Sequence, residues 1–226
     1  MSQISLLILC AGFGKRMLDL TIDTPKPLLM IQNKTLLSNS IDFFKSFGCN
    51  EIFINTHYQH KQIEKYINKY YDNKNISIIY EPEILGTGGA VKNIFKYTKN
   101  KNLCVTNVDI FWQNQNRPDI ANFLEDYNKI NYCKILLSKK NKFMGLSKSQ
   151  GDFSLQNNTV KNWVKENDIL YYSGFQILSK KIFENTPEKF AMNDVWDKLI
   201  YNNNLTGNLM NSKILHVGDK NTFDKL

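Results

Sequence analysis

Four short segments combine glycine, proline, lysine and aspartate in arrangements that suit phosphate and divalent-cation binding. In the first, residues 9–17, Gly12 and Gly14 are followed by Lys15 and Arg16. Two glycines let the backbone turn sharply and approach a ligand closely, and the N–H groups of such a turn can form a nest for anions. A plain strand-to-helix turn has the same pattern, and the third glycine of a dinucleotide fingerprint and the GK[ST] ending of a P-loop are both missing. On its own, this segment does not distinguish a phosphate-binding turn from a plain strand-to-helix turn.

The second segment holds Lys26 between Pro25 and Pro27. The prolines fix φ on both sides and restrict the residues before them, so the lysine lies on a stiff, extended segment. Its ammonium is a compact point charge that suits a phosphate. The alternative is an exposed lysine in a proline loop, but two basic segments within one connection favour phosphate binding.

The third and fourth segments each follow an apolar run. Residues 85–90 are glycine-rich, and their amides could face a ligand at a helix N-terminus or line the edge of a nucleobase; the alternative is a turn with Thr87 as N-cap. Asp109 follows Asn107 and Val108 at the end of a predicted buried strand, where open α/β sheets bind ligands. A carboxylate beside phosphates is a natural Mg²⁺ ligand; the alternative is an N-cap or turn residue.

The elements that position these segments alternate apolar runs with amphipathic helical stretches. Strands are predicted at residues 4–10, 51–55, 76–80 and 103–108, with helices at 36–47, 63–70 and 88–97. This order predicts an α/β fold with a Rossmann-like, mostly parallel sheet. After residue 116, short strands are predicted at 134–137, 152–155, 159–163, 170–178 and 213–217, as antiparallel additions to the same sheet. Helical pieces are predicted at 118–127, 180–184 and 193–201, and polar loops at 141–151 and 201–211. Without a linker, residues 1–226 are expected to form one domain.

Composition narrows the function classes. With 226 residues, 42% hydrophobic and 22% charged, the chain is typical of a globular protein. No apolar run is long enough to span a membrane, and the N-terminus lacks a basic region like that of a signal peptide. The four cysteines match no metal pattern, and Cys10 and Cys104, which lie in apolar runs, are expected to be buried thiols in a reducing cytoplasm. The formal charge of +8 comes from scattered lysines, which favours a solvated surface over nucleic-acid binding. No nucleic acid or membrane partner is expected, and the oligomeric state is left open.

The four segments, in this order and spacing, resemble the sugar-phosphate nucleotidyltransferase family. Its pattern is LAAGxGxRM, TPKPL, LGTGGA and a strand ending in an Asp that binds Mg²⁺; these correspond to residues 9–17, 24–28, 85–90 and 107–109. The resemblance covers the N-terminal half well and the C-terminal half more weakly. Residues 151–153 and 172–178 look like the compact branch of N-acetylmuramate 1-phosphate uridylyltransferases.

The resemblance implies a sheet of the nucleotide-diphospho-sugar transferase type and a reaction. A nucleoside triphosphate and a sugar 1-phosphate give a nucleotide sugar and pyrophosphate, with Mg²⁺ as cofactor. UTP and N-acetylmuramate 1-phosphate are the preferred substrates, in cell-wall sugar recycling. One alternative is a mannose or heptose 1-phosphate guanylyltransferase, or a cytidylyltransferase acting on a phosphorylated alcohol. An alternative of another class is a catalytically impaired nucleotide-sugar sensor or assembly subunit.

The resemblance also implies roles for individual residues. The catalytic residues are Arg16, Lys26 and Asp109. The nucleotide-binding residues are Ala11, Gly12, Gly14, Lys15, Arg16, Lys26 and Gly88. The sugar-phosphate contacts are Asn107, Asp152 and Lys165, of which Lys165 matches only approximately and is otherwise a surface lysine.

The metal site departs from the family pattern near the C-terminus. Asp109 is the expected Mg²⁺ ligand, but His216 stands where the family has a second metal-binding Asp. Mg²⁺ prefers oxygen ligands to imidazole. Three readings stay open: His216 contacts the ion, Asp219 replaces it, or His216 is a strand-end histidine and the second ligand is missing.

Three aromatic residues are further candidates for the cleft. His57 and Tyr58 follow a predicted strand and could face it, although a hydrogen bond from His57 to a neighbouring loop is an equal alternative. Trp112 could line a sugar pocket, although a core position is the more common role.

Overall fold

The structure is a computed structural model that describes residues 4–146 and 148–226. Its fourteen strands are β1 Ile4–Leu9, β2 Met30–Ile31, β3 Lys34–Thr35, β4 Cys49–Thr56, β5 Ile76–Tyr80, β6 Asn102–Asn107, β7 Ile110–Phe111, β8 Cys133–Lys139, β9 Phe143–Met144, β10 Phe153–Gln156, β11 Thr159–Asn162, β12 Leu170–Ser179, β13 Leu205–Leu209 and β14 Ile214–His216. Its six α-helices are α1 Leu36–Lys45, α2 His60–Tyr70, α3 Gly86–Ile94, α4 Arg117–Leu124, α5 Met192–Tyr201 and α6 Lys220–Phe223.

The N-terminal half forms the predicted parallel sheet. β1 pairs in parallel with β4 on one side and β6 on the other, and β4 pairs in parallel with β5. Leu9 at the end of β1 lies opposite Asn55 and Asn107, and Tyr80 lies opposite Thr56. The carboxyl ends of four strands therefore meet at one edge.

The C-terminal half extends the same sheet to nine strands. The order is β10-β11-β13-β8-β12-β6-β1-β4-β5, with β12 antiparallel to both β6 and β8. The predicted mixed sheet is thus confirmed. One junction differs from a purely antiparallel addition, because β13 runs parallel to β8.

Some local predictions are wrong. A loop is predicted at residues 201–211 because the sequence there carries only a weak strand signal, but the structure contains β13 in this range. At a buried position of β13 the chain has Gly207 and no apolar side chain that would indicate a strand. A Cβ there would lie 2.8 Å from Cγ2 of Val160. The predicted loop at residues 141–151 contains β9, which pairs with β14. Ser147, in the same range, lies outside the described residues. The helix predicted at 180–184 is a short 3₁₀ helix, Lys180–Phe183.

Two hydrophobic clusters cover the two faces of the sheet. Alternate residues of β1 point to opposite faces, so Leu6 and Ile8 join one cluster and Leu7 the other. All three are fully buried, which is typical of a parallel strand covered on both sides. Burial of each such side chain contributes roughly 1.5–3 kcal/mol. This packing fixes the strand ends that carry the polar residues.

All four cysteines, Cys10, Cys49, Cys104 and Cys133, are buried and unpaired, which confirms the prediction for Cys10 and Cys104. Within residues 4–146 and 148–226, no helix combines the length and apolar character required to cross a membrane.

Candidate active site

A cleft of about 390 Å³ opens at the carboxyl edge of β1, β4, β5 and β6. Beyond β1 the chain adds β4 and β5 on one side and then β6 on the other, and such a switch point is where open α/β sheets bind ligands. Most of the predicted residues line this cleft: Ala11, Gly12, Gly14, Lys15, Arg16, Lys26, Asn107 and Asp109.

The turn after β1 depends on glycine at one position. Gly14 has a φ of 67°, which is accessible to glycine at little steric cost. A Cβ there would lie 3.0 Å from Cγ2 of Thr21 and 3.1 Å from Cβ of Lys26. Gly12 has open space around its Cα, so its lack of a side chain leaves room in the cleft.

Lys26 and Asp109 form a buried ion pair at the floor of the cleft. Nζ of Lys26 donates to Oδ2 of Asp109 over 2.8 Å, and Lys26 is only 8% exposed. Burial alone opposes ionisation of Asp109, but the positive charge of Lys26 and the hydrogen bond from His216 outweigh it. Together they hold the pKa of Asp109 well below its usual range. Asp109 is therefore a carboxylate at neutral pH.

His216 lies against the same carboxylate. Strand β14 pairs with β7, which places His216 opposite Ile110, directly after Asp109. Nε2 of His216 is 3.4 Å from Oδ2 of Asp109. Asp219 instead caps α6 by accepting a hydrogen bond from the N–H of Thr222 over 2.8 Å. Of the two residues considered as a second metal ligand, the structure brings His216, and not Asp219, to Asp109.

The donor set of this pair fits a divalent cation. Oδ1 of Asp109 is buried and has no hydrogen-bond partner among the described residues. A buried polar atom without a partner is rare in folded proteins, and a carboxylate oxygen is a ligand that Mg²⁺ accepts. Within the described part of the chain there is no group of three or more His, Cys, Asp or Glu side chains that could hold a metal. Asp109 and His216 are thus a two-residue candidate site.

The opposite end of the cleft contains a residue that sequence reasoning missed. Glu81 directly follows β5, is only 2% exposed and lines the cleft together with Gly86 and Thr87. Its Oε1 accepts a hydrogen bond from Nδ2 of Asn55 over 2.9 Å, and its Oε2 lies 3.3 Å from the N–H of Leu85. Its place directly after a predicted strand was the available signal, as it was for Asp109.

The structure does not bring Gly88 to the cleft. The N–H of Gly88 donates to the carbonyl oxygen of Phe190 over 3.1 Å, and a Cβ there would lie 2.3 Å from the Phe190 ring. Close packing of α3 against this segment explains the glycine. From this segment, Gly86 and Thr87 line the cleft instead, one and two residues before Gly88.

Two of the three predicted sugar-phosphate contacts also lie outside the cleft lining. Asp152 accepts a hydrogen bond from the N–H of Tyr172 over 3.1 Å and pairs with Lys148. Lys165 is exposed in the segment between β11 and β12. Only Asn107 lines the cleft.

The three aromatic candidates have structural roles. Nδ1 of His57 lies 2.7 Å from the carbonyl oxygen of Glu81, and the hydroxyl of Tyr58 donates to the carbonyl oxygen of Thr21 over 2.9 Å. Trp112 is buried and stacks on Phe43, with ring centroids 5.5 Å apart. None of them is among the described residues that line the cleft.

The sequence matches known proteins over most of its length. The Nucleotidyl transferase family matches residues 5–151. D-glycero-alpha-D-manno-heptose 1-phosphate guanylyltransferase from Aneurinibacillus thermoaerophilus is 35% identical over 103 residues, which are 46% of this chain and 45% of that protein. The enzyme of the same name from Campylobacter jejuni is 28% identical over 195 residues, 83% of this chain and 82% of that one.

Solved structures share the whole fold. HddC from Yersinia pseudotuberculosis, complexed with GMP-PN, superposes with a TM-score of 0.75 at 24% identity and covers 99% of this chain and 97% of its own. A putative glucose-1-phosphate thymidylyltransferase from Bacillus anthracis gives a TM-score of 0.79 at 18% identity, over 98% and 93% of the two chains.

The names of the two sequence relatives correspond to the predicted guanylyltransferase alternative, not to an N-acetylmuramate uridylyltransferase. The family match includes all four sequence segments, and the strand order places them around one cleft. The chain belongs to the nucleotidyl transferase family.

Proposed function

We propose that this protein transfers a guanylyl group from GTP to a sugar 1-phosphate, forming a GDP-sugar and pyrophosphate. The family match supports nucleotidyl transfer to a sugar 1-phosphate. The names of the two sequence relatives support a heptose 1-phosphate as acceptor. The predicted UTP and N-acetylmuramate 1-phosphate pair is less well supported.

The buried carboxylate of Glu81 is the observation that favours guanine. An ionised glutamate only accepts hydrogen bonds, and its two oxygens each keep a lone pair beyond the contacts with Asn55 and Leu85. Guanine presents two adjacent donors, N1–H and the N2 amino group. Uracil presents one donor between two carbonyl oxygens, which a carboxylate would repel. A carboxylate at the base end of the cleft therefore selects guanine.

The basic residues at the other end would hold the triphosphate. A sugar-phosphate oxygen attacks the α-phosphorus, the new P–O bond forms, and the bond to the β-phosphate breaks to release pyrophosphate. The attacking phosphate is already ionised, so no side-chain base is required. Lys26 and Arg16 neutralise charge at the reacting phosphates, where a fixed cation has its largest effect on the transition state. Lys15 and the amides of residues 11–14 position the remaining phosphates.

Asp109 and His216 would hold a divalent ion, which when bound supplies Lewis-acid polarisation of phosphate oxygens. Asn107, two residues before Asp109 and also in the cleft, would contact the sugar phosphate. The nine-stranded sheet that joins both halves supports one domain over residues 1–226. The four buried, unpaired cysteines support a reducing compartment such as the cytoplasm.

The direct test is pyrophosphate release with GTP, UTP, CTP and dTTP, each combined with heptose, mannose and N-acetylmuramate 1-phosphates. GTP is expected to give the highest kcat/KM. Glu81→Gln should lower kcat/KM for GTP by about 10- to 100-fold, the effect of losing a hydrogen bond to a charged group. Glu83→Gln is the matched control, because Glu83 is exposed two residues away.

Two results would contradict the proposal. Highest turnover with UTP and N-acetylmuramate 1-phosphate would restore the uridylyltransferase prediction. Binding of GTP without turnover for any acceptor, in Mg²⁺ or Mn²⁺, would favour the nucleotide-sugar sensor.

A further inference from the structure

The backbone fixes the imidazole of His216 beside Asp109. The N–H of Val217 donates to the carbonyl oxygen of Asp109 over 2.7 Å, in addition to the pairing of β14 with β7. Asp109 and His216 therefore keep their distance through main-chain hydrogen bonds that are independent of their side chains. Nε2 lies 3.4 Å from Oδ2, so the imidazole and the carboxylate of Asp109 are close enough to bind one ion.

Two glycines leave room for His216, one against its ring and one against its main chain. A Cβ on Gly218 would lie 2.2 Å from Cε1 of His216, and a Cβ on Gly145 would lie 2.0 Å from the His216 carbonyl oxygen. Gly145 also has a φ of 83°, a conformation that other residues rarely adopt. Side chains at either position would displace the histidine, so the local sequence accommodates an imidazole at this place.

Both ring nitrogens of His216 face an oxygen. Nδ1 lies 3.4 Å from the carbonyl oxygen of Gly145, and Nε2 lies 3.4 Å from Oδ2 of Asp109. Metal-binding histidines direct their other ring N–H to a carbonyl or carboxylate, and Gly145 offers such a carbonyl to Nδ1 when Nε2 binds an ion.

Lys26 approaches Oδ2 of Asp109, but Oδ1 has no partner among the described residues. We propose that Asp109 and His216 form a mixed carboxylate–imidazole metal site that binds Mn²⁺ more tightly than Mg²⁺. Imidazole nitrogen is a good ligand for first-row transition ions, whereas Mg²⁺ prefers oxygen and keeps its waters.

This inference extends the proposed nucleotidyl transfer by naming the class of ion, but its test does not need a nucleotide. Mn²⁺ is added alone to the full chain, and its binding is followed by electron paramagnetic resonance. Pulsed measurements on the frozen sample detect ¹⁴N coupled to bound Mn²⁺, and hydrated Mn²⁺ in excess contributes no such signal. Mg²⁺ is then titrated in to measure how much is needed to displace Mn²⁺.

The wild-type protein is expected to show the nitrogen coupling of one imidazole and to need an excess of Mg²⁺ for displacement. His216→Asn should remove the coupling and weaken Mn²⁺ binding by at least the ~10- to 100-fold loss that follows removal of a group orienting a metal ligand. His216→Asp should remove the coupling but retain binding, with Mg²⁺ competing more effectively. His60→Gln is the control, because His60 stacks on Tyr80 away from the cleft, and it should keep the signal.

Gly218→Ala provides an independent variant that leaves both ligands in place. Its methyl group must displace the imidazole, so the nitrogen coupling should weaken although His216 is present. Absence of nitrogen coupling in wild type with bound Mn²⁺, or a coupling that persists in His216→Asn, would overturn the mixed site. Equal displacement by Mg²⁺ in wild type and His216→Asp would overturn the metal preference. Neither result would bear on GTP turnover, which tests the proposed function separately.

Discussion

At the residue scale, the proposed chemistry depends mainly on two buried charges, Lys26 and Asp109. Removing both ions from water is costly, and well-packed apolar side chains of similar size are often as stable. The pair nevertheless lies at the floor of the cleft, with one carboxylate oxygen left without a described partner. We infer that function, and not stability, accounts for this arrangement.

The first prediction concerns Lys26→Ala, which removes the cation beside the reacting phosphates. Turnover should fall by about 10²- to 10³-fold, the range seen when one fixed electrostatic donor is lost. Lys34→Ala is the matched control, because Lys34 forms an ion pair with Asp42 in which both side chains are partly exposed. Near-normal turnover of Lys26→Ala, with the control unchanged, would remove Lys26 from the transition state.

Loss of the same side chain should also affect stability. A buried Asp109 without Lys26 is an uncompensated charge, which typically costs about 3–5 kcal/mol. The free energy of unfolding of Lys26→Ala should fall by this order in denaturant titration. Lys26→Arg, which retains the charge, should be less destabilised; equal stability of wild type and the alanine variant would show that the pair is solvated in solution.

The depressed pKa of Asp109 predicts how stability depends on pH. A carboxyl group in the unfolded chain titrates near 3.9, and the pKa of Asp109 in the folded protein is lower. Around and below pH 4 the folded state therefore binds fewer protons than the unfolded state. The stabilisation from ionised Asp109 is therefore complete at neutral pH and is lost as pH falls through about 4 toward the lower folded value. The stability difference between wild type and Asp109→Asn should shrink over this interval. A difference that stays constant down to about pH 3 would contradict the shift.

At the element scale, the glycines of the two sequence motifs have different functions. Gly12 leaves space in the cleft, whereas Gly88 allows α3 to pack against Phe190. The sequence pattern predicts a glycine-rich turn in both places, but it does not reveal which glycine faces a ligand and which faces protein. That distinction comes from Phe190, about a hundred positions away in the chain.

A pair of alanine variants separates these functions. Gly12→Ala should leave the free energy of unfolding within about 0.5 kcal/mol and weaken GTP binding by roughly tenfold or more, the effect of one extra methyl group in a pocket. Gly88→Ala should destabilise the protein by about 1–3 kcal/mol through overpacking. Calorimetry of unfolding and of GTP binding measures both. Reversed effects would restore Gly88 as the nucleotide contact.

The elements also show where sequence reasoning succeeds and fails. The apolar runs of β1, β4 and β6 identify buried parallel strands because burial on both faces requires continuous hydrophobicity. The sequence of β13 resembles a loop because it contains Gly207 and polar residues. Its partner strands β8 and β11 are distant in the chain, so local sequence does not reveal the pairing. Glu81 was missed because a glutamate after a strand is common, and only the fold shows that it is buried.

At the scale of the whole molecule, one sheet brings distant segments to a single edge. The switch between β4 and β6 around β1 creates the cleft, and β14 returns from the end of the chain to place His216 beside Asp109. The phosphate end could be predicted from sequence, because its glycine, proline and lysine residues are close together in the chain. The positions of Asp152 and Lys165 outside the cleft lining could not, because they follow from how β10, β11 and β12 pair. Of the scattered lysines that contribute to the formal charge of +8, only Lys15 and Lys26 are among the described residues that line this cleft.

The central claim is that GTP binds across this cleft, with its base at one end and its phosphates at the other. A crystal structure of the protein with GTP tests it most directly. The account predicts guanine N1 and N2 within hydrogen-bonding distance of Glu81, and the triphosphate against residues 11–16 and Lys26. A guanine remote from Glu81, or phosphates outside the glycine turn, would contradict it.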